Sequence, residues 1–295
     1  PETLQGLDAL LFDLQDVGVR VYTFVWTMCL AMEACRDAGV QFVVLDRPNP
    51  INGIDREGPI LKPGFESFVG LHPLPLRHGL SAGEIALLAN ERFGIGCEVD
   101  VVPCIEWDRT EWFDATGFPF VPPSPNLPTL DSCTVYPGMV LLEGTNLSEG
   151  RGTTLPFELF GAPYLDPFEL VDTLGEFELP GIAFRPCSFE PTFQKYAGQM
   201  CGGAQLHVTD RDSFLPVETA VAIVHSAKTL APNGLHWLTP PYEYEHEKMP
   251  IDILWGSSEL RDTIDSDGDL GELLDRCTIE IAEFDGLAEA YLLYD

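Results

Sequence analysis

Lysine is nearly missing from this chain: Lys62, Lys195, Lys228 and Lys248 are all there is, and the other basic residues are arginines. Lysine and arginine together number 16 against 47 acidic residues, giving a formal net charge of −31 and a pI near 4.2. This argues against a nucleic-acid partner, because phosphate binding needs cationic stripes. Long apolar runs are missing too, and nothing approaches the roughly 20 residues of a membrane span. Eight cysteines are present without a single Cys-x-x-Cys pair, so metal-finger and redox-motif readings lose their spacing argument. They read as buried small hydrophobes, with one or two disulfides left open if the protein is exported.

Other signatures fail on inspection. Gly94–Val99, "GIGCEV", lacks a third glycine and precedes its strand, so it is no dinucleotide fingerprint. "DSDGDLGE" from Asp265 has acids at calcium-loop spacing, but glycine is misplaced and Arg276 stands where the bidentate glutamate belongs. It reads as a solvated acidic turn. No Gly-x-Ser-x-Gly or Walker sequence occurs, and the six histidines show no paired metal spacing. We therefore expect no metal and no cofactor. The first residue is Pro1 and no signal-peptide pattern follows it, which reads as a processed chain or a fragment.

What is present is a globular composition, 45% hydrophobic and 11% aromatic. Dispersed acid with scarce lysine suits a surface that works in high salt, where ions screen self-repulsion, so a halophilic habitat is expected. Asp8–Leu14 is an apolar run of buried-strand type, and Val21–Gly39 predicts a helix ended by its glycine. Gln41–Asp46 predicts a second buried strand, Ser81–Gly94 a helix with Ser81 as cap and Glu84 at the capping-box position, and Cys97–Cys104 a third strand. Strands alternating with helices imply a doubly wound parallel α/β domain, placed at residues 1–145. Beyond it the rhythm changes. Glu169–Phe177 and Pro216–Pro232 predict helices, Gly181–Pro191 and Gly202–Asp210 predict strands, and Gly271–Asp295 is of mixed character. We expect a smaller α+β domain over 146–295.

In open parallel sheets, ligands bind beyond the carboxyl ends of the strands. The first strand runs into Asp13, Gln15, Asp16, Arg20 and Tyr22, and the second into Asp46, Arg47, Asn49, Asn52 and Glu57. A proline-stiffened loop displays Ser124 and Asn126. A fourth wall is "EGTNLSEGRGTT", Glu143–Thr154, which packs carboxylates, an amide, an arginine and three glycines into a dozen residues without helix or strand periodicity. Carboxylates with amide and guanidinium donors suit carbohydrate: sugar hydroxyls demand dense hydrogen bonding, and glycosidic cleavage needs a carboxylic acid for the leaving oxygen. An ester or amide hydrolase built on Ser124 and a distant histidine is a weaker alternative.

"DLQDVGVRVYT", "VLDRPNPINGIDREGPIL", "VPPSPNLPT", "YPGMVLLEGTNLSEGRGTTLPFELFGAP" and "AEAYLLYD" together resemble the NamZ-type exo-β-N-acetylmuramidases, bacterial peptidoglycan hydrolases long known only as a domain of unknown function. The resemblance runs the length of the chain. It implies a Rossmann-like first domain, an exported protein, and release of N-acetylmuramic acid from non-reducing ends of peptidoglycan fragments without metal or nucleotide. The family's proposed catalytic glutamate lies in a Glu-His-Gly segment upstream of the Asp-x-Gln-Asp-Val-Gly motif, and no Glu-His-Gly stands here. The expectation that follows is a first domain lacking its opening strands, with Glu143 and Glu149 as the remaining acid/base candidates. Arg151 or Arg20 is expected to meet the lactyl carboxylate, a bidentate task suited to guanidinium. Asp13, Gln15, Asp16 and Asn126 are expected at hydroxyl or acetamido groups, with Asn146 brought close to the ring. The competing class is a peptidoglycan-sugar-binding module that lost its acid.

Overall fold

The computed structural model describes residues 2–295. Strand Ala9–Phe12 (β1) leads through the motif loop into helix Phe24–Ala38 (α1), and Gln41–Leu45 (β2) follows. Gly39 ends α1 in the left-handed conformation (φ 66°), a geometry only glycine takes without a Cβ penalty. A short antiparallel pair, Glu57–Ile60 (β3) and Pro75–Arg77 (β4), precedes helix Ala82–Arg92 (α2) and strand Val99–Val102 (β5). β1, β2 and β5 form a parallel sheet in that order, so the expected parallel α/β architecture is present. The capping box at α2 is also present: Ser81 Oγ accepts from the Glu84 amide, and the Glu84 carboxylate accepts from the Ser81 amide. β1 departs from the expectation of a buried strand. Leu11 is 58% exposed, because β1 turns its face outward there while the next residue, Phe12, is buried on the other face.

Helix Leu130–Met139 (α3) runs directly into a 3-10 turn at Val140–Gly144. Strand Leu159–Ala162 (β6), helix Pro167–Leu174 (α4), strands Ile182–Phe189 (β7) and Cys201–Val208 (β8) and helix Pro216–Leu230 (α5) complete an α+β unit. Its antiparallel sheet has the order β6-β8-β7. Helices Pro250–Trp255 (α6), Glu259–Asp265 (α7) and Leu270–Ala288 (α8) close the chain. The acidic turn from Asp265 joins α7 to α8, with Asp269 capping α8 through the Glu272 amide. Most of the segment of mixed sequence character is therefore one helix of 19 residues, its buried stripe formed by Leu273, Cys277, Phe284 and Ala288, and a 3-10 turn at Glu289–Tyr291 and an extended end follow it.

Two apolar cores result. One lies around the parallel sheet, with Trp26, Met32, Phe42 and Ile85; the other is built mainly from α3, α5, α6 and the antiparallel sheet. α8 crosses between them: Leu273 and Cys277 pack in the second core, Phe284 and Ala288 in the first. The final residues then return to the parallel sheet. Tyr294 Oη donates to Asp46 Oδ2 at 2.6 Å and accepts from the Cys104 amide, while Arg109 donates to the Tyr294 carbonyl. All eight cysteines are free thiols.

Candidate functional site

Two cavities adjoin at the proline-rich loop. The larger, about 980 Å³, opens at the carboxyl edge of the parallel sheet, where Asp13, Gln15, Asp46 and Arg47 meet aromatic walls from Trp107, Phe113, Phe118 and Phe120. The smaller, about 150 Å³, is lined by Tyr22, Ser124 and Asn126 on one side and by Tyr136, Glu143, Arg151, Phe157 and Tyr242 on the other. Between them, Tyr22 Oη donates to the Pro123 carbonyl at 2.8 Å. Tyr136 meets Tyr22 and Phe157 edge-on, at centroid separations of 6.3 and 4.9 Å.

Glu143 sits in the 3-10 turn after α3, buried against this aromatic group. Its Oε1 accepts from Arg151 Nη2 and its Oε2 from Tyr242 Oη, each at 2.6 Å. Burial pushes the carboxyl upward, the Arg151 charge opposes this, and the Glu149 charge adds to it. Tyr242 is likewise pushed well up by burial and by Glu143. The Arg151 guanidinium lies 5.4 Å from the Phe157 ring centroid, and its Nε is buried without a hydrogen-bond partner, 3.7 Å from Glu149 Oε1. Glycines at 150 and 152, with φ of 75° and 85°, let the stretch fold back so that Glu143 and Arg151 meet across eight residues.

The sequence-predicted residues divide into three groups. Tyr22, Ser124, Asn126, Glu143 and Arg151 come together at the smaller cavity. Asp13 and Gln15 line the larger one, where Asp13 pairs with Arg47 at 2.6 Å and Gln15 donates to the Asp16 and Pro48 carbonyls. Asp46 and Arg47 line it as well, and the rest line neither cavity. Glu149 is 3% exposed along its side chain and faces inward, held by Lys195 at 2.9 Å. Asn49 is buried against Gly18, donating to the Leu80 carbonyl and accepting from the Ile51 amide. Asn146 is occupied by the Gly234 carbonyl, Tyr164 Oη and the His236 amide, so it braces the loop at 234–236. Asp16 is buried with Oδ2 on the Gly18 amide and 3.3 Å from His78 Nε2, and its Oδ1 has no partner.

Arg20 is placed contrary to expectation. It is fully buried, and its guanidinium donates to the carbonyls of Pro59, Leu74, Leu254 and Trp255. All donors but Nε are spent on backbone, so it holds β3 and the segment before β4 against α6 and faces no ligand space.

Sequence reading missed Tyr136, Phe157, Tyr242 and Lys195. Tyr242 lies in an acidic loop 99 residues from Glu143 and gives no local signal. Lys195 did carry one: it is among only four lysines, yet it stands in a polar segment between two strands.

The profile of the N-terminal domain of exo-β-N-acetylmuramidase NamZ matches residues 1–131, and that of its C-terminal domain matches 134–294. The peptidoglycan β-N-acetylmuramidase NamZ of Bacillus subtilis (strain 168) is 45% identical over 294 residues, covering 100% of this chain and 69% of its own length. Crystal structures of two DUF1343 family proteins from Bacteroides fragilis NCTC 9343 superpose with TM-scores of 0.91 and 0.78, at 30% and 28% identity, each covering 100% of this chain and 77% of theirs.

Proposed function

The chain belongs to the family of exo-β-N-acetylmuramidase NamZ, and we propose that it is a glycoside hydrolase releasing N-acetylmuramic acid from the non-reducing ends of peptidoglycan fragments. The observation that carries the reading is the buried Glu143, raised by its surroundings and set in an aromatic cavity beside a guanidinium. A carboxyl whose surroundings favour its protonated form is what a departing glycosidic oxygen requires. In this reading Glu143 gives its proton to that oxygen, and Tyr242 yields its contact as the sugar enters. Glu149 serves as counter-charge to Arg151 and Lys195, and proton transfer is assigned to Glu143 alone. Arg151 is the one cation among the residues lining the smaller cavity, and its exposed edge receives the lactyl carboxylate. Asn126 and Ser124 meet hydroxyl or acetamido groups. Asp13 and Gln15 lie across the Tyr22–Pro123 contact, where the remainder of the saccharide extends.

We place the boundary between domains where the two profiles meet, at 131–134, in preference to 145–146. α3 packs on α5, and the smaller cavity then becomes a cleft between domains. The substrate makes an exported protein the fitting reading. Among the described residues no helix is long and apolar enough to cross a membrane.

The test is release of sugar from a chromogenic β-N-acetylmuramic acid glycoside at high salt. Glu143→Gln is expected to lower kcat by roughly 100-fold or more with the fold intact, since a positioned general acid contributes about that much. Turnover within tenfold of the parent chain removes Glu143 from the role. Binding of the saccharide without release by the parent chain makes the protein a binding module instead.

A further inference from the structure

Lys195 stands on the connection between β7 and β8, flanked by Gln194 and Tyr196, both in the left-handed region with φ of 66° and 58°. The connection lies over the Glu143–Thr154 stretch. Thr192 donates to the Gly152 carbonyl through both its amide and its hydroxyl, at 2.8 Å each, and a Cβ at Gly152 would stand 2.5 Å from the Phe193 carbonyl. From there the Lys195 ammonium reaches inward and places all three protons: on the Leu142 carbonyl, the Leu147 carbonyl and Glu149 Oε2, each at 2.9 Å. An exposed ion pair with a free head group contributes little. An ammonium with three partners beside a buried carboxylate is a built contact, and its two carbonyl partners bracket Glu143 in the sequence.

A row of charges follows: Lys195, Glu149, Arg151, Glu143, closed by the Tyr242 hydroxyl. Arg151 stands between two carboxylates. If Glu149 lacked a cation of its own, it would compete with Glu143 for the guanidinium and repel the second negative charge. Lys195 removes both effects by neutralising Glu149 from the far side.

We propose that Lys195 is a positioning residue for the acid group: it satisfies Glu149 from behind, leaves Arg151 seated on Glu143, and thereby sets the pH range over which Glu143 holds its proton. This rests on the reading of Glu143 as the proton donor. The charged and titratable groups facing Glu143 are Arg151 and Glu149 from its own Glu143–Thr154 stretch, Lys195 from the β7–β8 connection, Tyr136 from α3, and Tyr242 with Glu243 from the loop before α6. Lys195 and Arg151 lower the carboxyl, and Glu149 raises it.

The experiment compares the parent chain with Lys195→Met, Glu149→Gln and the double variant by two readouts. The first is the alkaline limb of kcat/KM on the chromogenic glycoside. The second is the titration midpoint of the Glu143 carboxyl by 13C NMR, its signal identified by its loss in Glu143→Gln. With Glu149 left unpaired, Lys195→Met is expected to raise both by about one pH unit, the scale of one uncompensated charge at short range in a partly buried site. Glu149→Gln is expected to lower both, and the double variant to return both near the parent values. A purely structural role would depress kcat at every pH and leave limb and midpoint where they were; that result overturns the proposal. So does a Glu143 midpoint unmoved in Glu149→Gln, where the glutamine oxygen and the Leu142 and Leu147 carbonyls still accept from the Lys195 ammonium. Should the parent chain release no sugar, the glycosidase reading falls while the NMR midpoints still decide the role of Lys195.

Discussion

The Arg20 guanidinium shows how a charge is held in an interior without a counter-ion. Four carbonyls point at it, from Pro59, Leu74, Leu254 and Trp255, and Trp26 Nε1 in turn donates to the Arg20 carbonyl. Removing the side chain takes a donor from four buried carbonyls, of which only that of Leu74 keeps another, the Leu61 amide, and each loss costs on the order of 1 kcal/mol. Arg20→Met is therefore expected to lower unfolding free energy by about 3–5 kcal/mol in a urea titration, while Arg47→Met, at an exposed pair with Asp13, costs under about 1 kcal/mol. Equal effects would mean that Arg20 is no joint between the segments. The two arginines look alike in the sequence, each following an apolar run in a polar loop. Only the long-range partners, 234 and 235 residues away at α6, separate them. Glu143 and Arg151 were legible because they share one dense stretch; Tyr242 was not, because nothing local marks a residue whose partner lies across the fold.

Elements were legible where their signals are local. The Ser81–Glu84 box and the Gly39 stop are both three- or four-residue devices, and both stand as read. α3 was illegible for the opposite reason. Pro137 and Gly138 read as breakers, yet the helix passes through them because α5 sits on Gly138 so closely that a Cβ would lie 1.8 Å from the Pro216 carbonyl. A tertiary contact selects glycine there, and no pattern along the chain reports it. β3 carries a related device. Glu57 Oε1 accepts from the Glu218 amide at the start of α5 at 2.7 Å, while Oε2 is buried without a partner. Burial lifts this carboxyl from 4.5 to about 7. A carboxyl raised in the folded state binds its proton more tightly there than in the unfolded chain. The stability it gives is thus complete below about 4.5 and is lost as pH rises through about 7. Glu57→Gln keeps the acceptor and removes the ionisation. It is expected to leave the melting temperature nearly unchanged at pH 5 and to stabilise the protein at pH 8 by on the order of 2–3 kcal/mol. An equal effect at both pH values would place the ionisation of Glu57 outside the folding equilibrium.

At the scale of the molecule the dominant quantity is charge. The two cores and the crossing of α8 bind the parts together, and against them stand 47 acidic residues with 16 basic ones. Many of the cations are spent locally: Arg211 serves both Asp114 and Asp131, and Arg261 serves Asp252 and Asp262. The surplus carboxylates repel one another over the surface, and compaction brings them closer than the unfolded chain does. Screening weakens that repulsion, since the Debye length falls from about 10 Å at 0.1 M salt to about 3 Å at 1 M. Exposed ion pairs weaken as well, but they are fewer than the unpaired acids, so screening favours the fold. The melting temperature at pH 7.5 is accordingly expected to rise by roughly 5–10 °C between 0.1 and 2 M KCl, with most of the rise below 1 M, a shift on the order of 2–3 kcal/mol for a chain of this size. Sucrose at matched osmolality separates screening from exclusion at the surface, because it leaves the charges unscreened and would not give the same early rise. A melting temperature flat in KCl would mean that the acidic surface costs the fold nothing, and that the scarcity of lysine has some origin other than adaptation to salt.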